Sequence, residues 1–483
     1  MVDVMAFRKF KPGNATHLSV DFVIIGGGIA GLACAVALRR VNHRVTVLEE
    51  DDVYTLEHGR SGPCRMPPNL SKILYHWGLE DEVRAIAIKS ESISLLLYET
   101  GELLGKHHWD DEVMKETRGE FVFTRHSALR RLLYDVAISC GAEVRLNTKV
   151  AAIDPEERTV TLEGSGEQLR ADVVVGADGL GGLTRRILHH ASEEPHMGAM
   201  DMFRHDNELG YLPIASTTVA RELITADPDL AYLYDQEHTT MFNWFGHGHS
   251  VLGFPIIDGS EFGLFIYGPS NSRGGSWNTI ASNTDLEAVL GTAEPKQPSE
   301  IGKVSSEADM SYSALDDWVH KSGRMVVVGE AAHPLPPGSV QATALTVEDA
   351  AVLAKLFSHL RTEDQIGSFL WAFQDLRQPR CNAVMAKEAG IMYYMTMPPG
   401  EQQQLRDETM RAKRDAGIGI LQASDEAEES PEWAEIKEVF GYDAEDEADN
   451  WWVEWGLLRE RSKGVDVSYG VPSPIQVERA ISS

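Results

Sequence analysis

The sequence predicts an α/β protein in which a parallel sheet is gathered from distant segments, a second, mixed or antiparallel sheet is inserted, and the C-terminal region is helical. Three observations predict this. A strand, a glycine turn, a helix and a second strand follow one another between residues 21 and 49. Two more apolar runs of the same unalternating kind lie at 172–179 and 324–338. Between them, residues 196–319 alternate polar and apolar residues and are rich in aromatics.

Each element has a reason. FVIIGG and HRVTVLEE carry β-branched or aliphatic runs without alternation, as strands covered on both faces do. The segment between them, AGLACAVALRRV, is small and apolar at its glycine end, which suits a helix packed closely on a sheet. DVVVGADG, followed by TRR and a helical pattern, is a further strand of that sheet. RMVVVGEAAHPLPPG, followed by ALTVEDAAVLAKLFSHL, is another. The alternation in MFNWFGHGHSVLGFPI and EFGLFIYGP reads as an antiparallel sheet with one exposed face. From about residue 365 the chain reads as helical, and it ends in an acidic, tryptophan-rich tail.

The 483 residues carry a net charge of −30. Such a field repels phosphate backbones and anionic lipids, and no basic face offsets it, so neither nucleic acid nor a membrane is an expected partner. Twelve acidic residues against one lysine fall between residues 425 and 449, which reads as a solvated face. Cys34, Cys64, Cys140 and Cys381 stand far apart with no CxxC pair, so a reducing, cytoplasmic setting is expected and no disulfide framework or zinc ribbon is. The first twenty residues lack the apolar run of a secretory signal, and no segment approaches the roughly 18 apolar residues of a membrane span.

Gly26-Gly27-Gly28-Ile29-Ala30-Gly31 is a G-x-G-x-x-G between strand and helix. Gly26 permits the tight turn, Gly28 lets a pyrophosphate approach the backbone, and Gly31 lets helix and strand pack closely. Free N–H groups at the helix start then hold the phosphates. Glu49, eighteen residues after Gly31, ends the next strand, where a carboxylate accepts the hydroxyls of an adenosine ribose. This is a Rossmann-like dinucleotide site. On this motif alone the dinucleotide is either NAD or FAD.

Gly176-Ala177-Asp178-Gly179, with Arg185 following, and Gly329-Glu330-Ala331-Ala332-His333-Pro334, with Pro336-Pro337 following, resemble the DG and GD fingerprints of the group A flavoprotein monooxygenases. That family includes salicylate hydroxylase, p-hydroxybenzoate hydroxylase and many fungal secondary-metabolism enzymes. SGPCRMPPNLSKILYHWGL, FTRHSALRRLL, LDDWVHKSGRM and the RQPR at residues 377–380 extend the resemblance over nearly the whole chain. MPPGEQQQLRD and FGYDAEDEADNWWVEWG add to it.

The resemblance implies FAD as cofactor, with Glu49 on the adenosine ribose, Arg125 or else His126 by the ribityl or pyrophosphate, Asp178, with Gly179, in the pyrophosphate region or assisting nicotinamide binding, and Glu330 on a ribityl hydroxyl. Ala331, Pro337, Gln341 and Ala342 would lie along the flavin. It implies a discontinuous FAD-binding domain at 18–92, 119–195 and 320–364, a substrate domain at 93–118 and 196–319, and a helical C-terminal region at 365–483. It also implies NAD(P)H, O2 and a small-molecule substrate, an aromatic or electron-rich polycycle that receives one oxygen atom from a flavin C4a-hydroperoxide. Secondary-metabolite biosynthesis is the implied setting.

Three departures stand out. Glu330 replaces the aspartate of the GD motif, Val340-Gln341-Ala342-Thr343-Ala344 replaces GQGAN, and Gly182 replaces the serine after the DG pair. The first two leave an alternative open, a flavin-fold enzyme without O2 chemistry that acts as a cyclase or isomerase. In the substrate region Arg204 is a candidate to hold a phenolate or enolate oxygen, and Tyr232 and Tyr234, alternating onto one face of AYLYD, are candidate donors. Trp244 and Phe254 read as apolar wall or core. His247 and His249 share a strand face but lack a third ligand at metal spacing, so no metal is expected.

Overall fold

The structure is a computed structural model that describes residues 13, 15–58, 62–109, 111–191, 211–269, 279–280, 301–303, 315–335, 338–422 and 431–458. Its first sheet has five parallel strands from segments spread over three hundred residues. Their order in space is Met325–Val327, Val173–Gly176, Asp21–Ile25, Arg44–Leu48 and Glu143–Arg145. The unalternating apolar runs are explained by burial: Phe22, Ile24, Val173, Val175 and Met325 to Val328 are each 1% exposed or less. Covering such a side chain on both faces contributes roughly 1.5–3 kcal/mol relative to leaving it in water.

The helix Ile29–Arg40 lies on this sheet with all but Ala30 and Arg39 buried. Its close packing depends on Gly31, where a Cβ would stand 1.9 Å from the Gly26 carbonyl oxygen. The helix Ala342–Phe357 packs against the helix Ile29–Arg40. His43 joins the two layers: its Nδ1 accepts the Val20 N–H at 3.3 Å, and its Nε2 bonds the Phe357 carbonyl at 3.2 Å.

A second sheet of eight strands is mixed. Ser250–Ile256 and Glu261–Pro269 are antiparallel neighbours, as are Glu261–Pro269 and Tyr211–Ala220. Thr240–Phe245 instead runs parallel to Ser92–Leu97, which brings Leu103–His108 into the sheet as its far edge. Side chains alternate between two apolar faces. Met241, Leu252, Phe254, Phe265 and Tyr267 pack with Phe121 and Phe123, just before and within the middle strand of a three-stranded sheet of Pro63–Met66, Val122–Arg125 and Ile88–Lys89. Phe242, Trp244, Phe262 and Leu264 face the other way. The expectation of one exposed face is corrected here, because the short helix Arg221–Thr225 and the 3-10 turn Ala231–Leu233 lay Ile224 and Leu233 on that outer face.

The C-terminal region is helical: Ile366–Met395 is a thirty-residue helix, followed by Glu401–Asp415, Pro431–Gly441 and Ala444–Trp451. The expectation that the acidic tail is a solvated face is corrected at three of its carboxylates. Glu445 accepts the Trp77 indole N–H at 3.0 Å and lies 2.8 Å from His76 and 3.4 Å from Arg40. Lys72 pairs with Asp443 at 3.5 Å, and Lys355 with Asp449 at 2.8 Å. Burial works against the Glu445 charge, but these partners override it and bring its carboxyl down to about 2. Three of the tail's carboxylates, Asp443, Glu445 and Asp449, therefore dock it onto basic side chains of the parallel-sheet layer, while Glu435, Glu438, Asp446 and Glu447 are exposed. Among the described residues, no helix is long and apolar enough to cross a membrane.

Candidate cofactor and substrate site

All four motif segments emerge at the C-terminal ends of adjacent parallel strands. The register places Ile25 beside both Gly176 and Leu48, and Gly176 beside Val327. Glu49, Gly26, Ala177 and Val328 therefore leave the sheet side by side, which is where ligands bind open parallel sheets. Gly26 has φ +102°, and a Cβ there would stand 2.4 Å from the Ala177 carbonyl oxygen. Gly28 differs: a Cβ on it would meet nothing within 4 Å. The space in front of Gly28, at the start of the helix Ile29–Arg40, is what a phosphate needs.

Around this turn the side chains close a ring. Glu49 accepts the N–H groups of Gly27 at 2.5 Å and Asp51 at 2.8 Å. Arg130 donates from Nε to the Gly27 carbonyl at 2.9 Å and pairs with Glu49 at 3.3 Å and Asp51 at 3.2 Å. The sequence points to Arg125, but Arg125 pairs with Glu261 of the eight-stranded sheet. Arg130, one helical turn into His126–Ser139, is the cation at the glycine turn, and sequence reasoning missed it.

The DG and GD segments face each other. A Cβ on Gly179, which has φ +75°, would lie 3.6 Å from Glu330 Oε2, and Glu330 is exposed there. Asp178 turns away from this space: its carboxylate accepts the Thr184 N–H at 3.0 Å and the Thr184 hydroxyl, capping the helix Leu183–Ala191. Burial pushes the Asp178 carboxyl up, and those bonds oppose the push. The departure at Gly182 now has a cause, since a Cβ there would stand 2.2 Å from the Asp178 carboxyl group. Arg185, buried, donates to the Ala331 carbonyl at 2.8 Å and so ties the DG helix to the GD turn.

The segment replacing GQGAN is tied down by a polar link. Gln341 accepts the Asn69 amide at 2.8 Å, and the same amide group donates to Glu348 at 2.7 Å. Ala342 opens the helix Ala342–Phe357 directly after it. Beneath this loop lies a buried network that carries RQPR. Arg377 donates to Asp349 at 2.8 Å, and Asp349 also holds the Gly329 N–H at 2.9 Å and His333 at 2.6 Å. Burial alone would lower His333, but Asp349, with Cys381 beside it, holds the imidazole up at about 10. His333, Asp349 and Cys381 could offer ligand atoms within 4.8 Å of one another. The Arg377 cation on Asp349 makes the group an internal ion-pair network that disfavours a further cation.

The remaining sequence candidates lie apart. Tyr232 and Tyr234 sit in and after the 3-10 turn Ala231–Leu233, not on a strand, so the alternation read from AYLYD does not apply. Proline and aspartate at residues 227–229 favour a turn over strand pairing. Both rings pack on the outer sheet face, Tyr232 against Phe242 and Tyr234 against Phe262. Arg204 and Pro337 lie outside the described residues. Phe254 is fully buried on the inner face and stacks on Phe123 at 4.4 Å.

A family model described as an FAD binding domain matches residues 19–240. The FAD-dependent monooxygenase OpS4 of Beauveria bassiana is 28% identical over 395 residues, covering 81% of this chain and 89% of that protein. The 3-amino-4-hydroxybenzoate 2-monooxygenase PtmB3 of Streptomyces platensis is 26% identical over 411 residues, covering 82% and 94%. Among solved structures, native FqzB superposes with a TM-score of 0.70 at 20% identity over 94% of this chain and 96% of that one. A salicylate hydroxylase substrate complex does so with 0.65 at 17% identity over 89% and 97%.

Proposed function

We propose that the chain is an FAD-dependent monooxygenase, like the relatives it resembles, and that it inserts one atom of O2 into an aromatic or electron-rich polycyclic small molecule, using NAD(P)H, in secondary-metabolite synthesis. The observation that carries this reading is the juxtaposition of the open space at Gly28 with the facing Gly179 and Glu330, next to an aromatic inner sheet face. The names of the relatives support it: one acts on an aminated hydroxybenzoate, an electron-rich ring.

The residues present fit FAD. The turn from Gly26 to Gly31 would hold the pyrophosphate at the helix start, and Glu49 would accept from the adenosine ribose. Arg130 would keep that turn in shape by its bond to the Gly27 carbonyl. Glu330, one methylene longer than aspartate and exposed beside Gly179, would reach a ribityl hydroxyl. When bound, FAD supplies the redox chemistry between NAD(P)H, O2 and substrate. The chain's own work is to hold and exclude. Asp349 fixes Gly329 and His333, which sets the GD turn, and Gln341 with Asn69 fixes the loop ahead of Ala342. Phe254, Phe265 and Tyr267, buried on the inner sheet face, would give the substrate side an apolar wall that keeps water from the reacting centre.

The test is an oxygen electrode with FAD-loaded protein, NADH or NADPH, and a panel of phenols and indoles. The reading expects O2 and nicotinamide to be consumed together, with 18O from labelled O2 in the product. A product formed without O2 would move the protein to acid/base chemistry. Flavin that neither nucleotide reduces with any substrate would remove the reading.

A further inference from the structure

Where the strand Pro63–Met66 meets the inner face of the eight-stranded sheet, three polar side chains converge that the cofactor cradle does not use. Arg65 is 7% exposed and its guanidinium lies over the Phe265 ring, 5.7 Å from its centroid. Its Nη2 donates to the Gly338 carbonyl and lies 3.5 Å from the Tyr267 hydroxyl. The Tyr267 hydroxyl donates to the same carbonyl at 2.9 Å. From the helix Ile366–Met395, Glu388 accepts the Val340 N–H at 3.0 Å. Arg65 and Glu388 thus hold the two ends of the loop that leads into the helix Ala342–Phe357.

One group is left over. Arg65 Nε is buried and has no hydrogen-bond partner among the described residues. No ion pair within 4.0 Å joins Arg65 to Glu388 among them. A buried donor without an acceptor costs about 1–3 kcal/mol, more on a charged group. Stacking on Phe265 and the bond to Gly338 prevent Arg65 from swinging out to relieve that cost. Alternation along the strand turns Cys64 the other way, toward Thr343 at 3.7 Å, so Arg65 is the strand's contribution to the sheet side.

We propose that Arg65 anchors an anionic oxygen of the substrate, a phenolate, enolate or carboxylate, on its free Nε–H, with Tyr267 and Glu388 as positioning residues that fix the guanidinium and the loop. This rests on the monooxygenase reading, because it places the oxygen-bearing end of the substrate beside the loop at Gln341. For a phenolate or enolate it also gives the anchor a chemical purpose. Electron density pushed into a ring by an ionised oxygen is what an electrophilic oxygen donor needs, and a guanidinium holds that oxygen ionised.

The experiment titrates FAD-loaded wild type, Arg65→Gln and Arg65→Lys with benzoate and 2-naphthoate, each against its neutral amide, following flavin absorbance and thermal shift. Wild type should bind each carboxylate at least tenfold tighter than the amide. Arg65→Gln should lose that preference while keeping stoichiometric FAD, and Arg65→Lys should retain part of it. Equal binding of acid and amide by wild type, or no binding of either, overturns the anchor. So does an undiminished preference in Arg65→Gln, or loss of FAD from it. A wild type that takes up no FAD would instead defeat the underlying reading.

Discussion

At the scale of single residues, the glycines of the first turn do different work. Gly28 has an ordinary φ of −73° and open space before it, so no packing in the protein requires its lack of a side chain, and the proposed FAD pyrophosphate would use that space. Gly31 serves the fold, because its missing Cβ is filled by the Gly26 carbonyl. Gly31→Ala should therefore destabilise the protein by about 1–3 kcal/mol, as overpacking does. Urea unfolding reads this directly, and an unchanged midpoint would contradict the packing. These roles were legible in the motif, since spacing alone fixes which glycine meets the strand and which meets the phosphate. Arg130 was not. Its choice over Arg125 depends on how the helix His126–Ser139 docks beside the turn, and that is set by tertiary packing. The bond from Asp178 to Thr184 was not legible for a related reason: it forms in a turn where residue 182 has no side chain.

At the scale of elements, His43 carries a pH dependence. Burial, ahead of its bond to Phe357, lowers the imidazole to about 4, against 6.5 in the unfolded chain. A folded value below the unfolded one means that the unfolded state binds the proton first. The stability from neutral His43 is thus present above pH 6.5 and is lost as pH falls toward 4. The shift corresponds to about 3 kcal/mol. Melting curves between pH 7 and 4.5 should fall more steeply for wild type than for His43→Gln; parallel curves would refute the assignment. Elements were unevenly legible. The parallel strands announced themselves by unalternating apolar runs. The turn at 227–234 was hidden because a short alternating string fits a strand as well as a one-turn helix, and only the covered outer face decides between them.

At the scale of the whole molecule, a chain with net charge −30 folds so that three carboxylates of its acidic tail, Asp443, Glu445 and Asp449, are used internally, on Trp77, Arg40, His76, Lys72 and Lys355. Charge counting could not show this, because it sees sign and density but not the basic faces brought opposite them. The overall α/β plan was legible, because motifs at strand ends fix which strands must be neighbours. The parallel pairing of Thr240–Phe245 with Ser92–Leu97 was not, as nothing local marks it. The account's central claim is that four strand ends build one FAD cradle centred on Gly28. Titrating FAD into wild type and Gly28→Val tests it most directly. The account predicts one FAD per wild-type chain and at least a hundredfold weaker binding by Gly28→Val, with an unfolding midpoint unchanged from FAD-free wild type. Stoichiometric, undiminished FAD binding by the folded variant would contradict it.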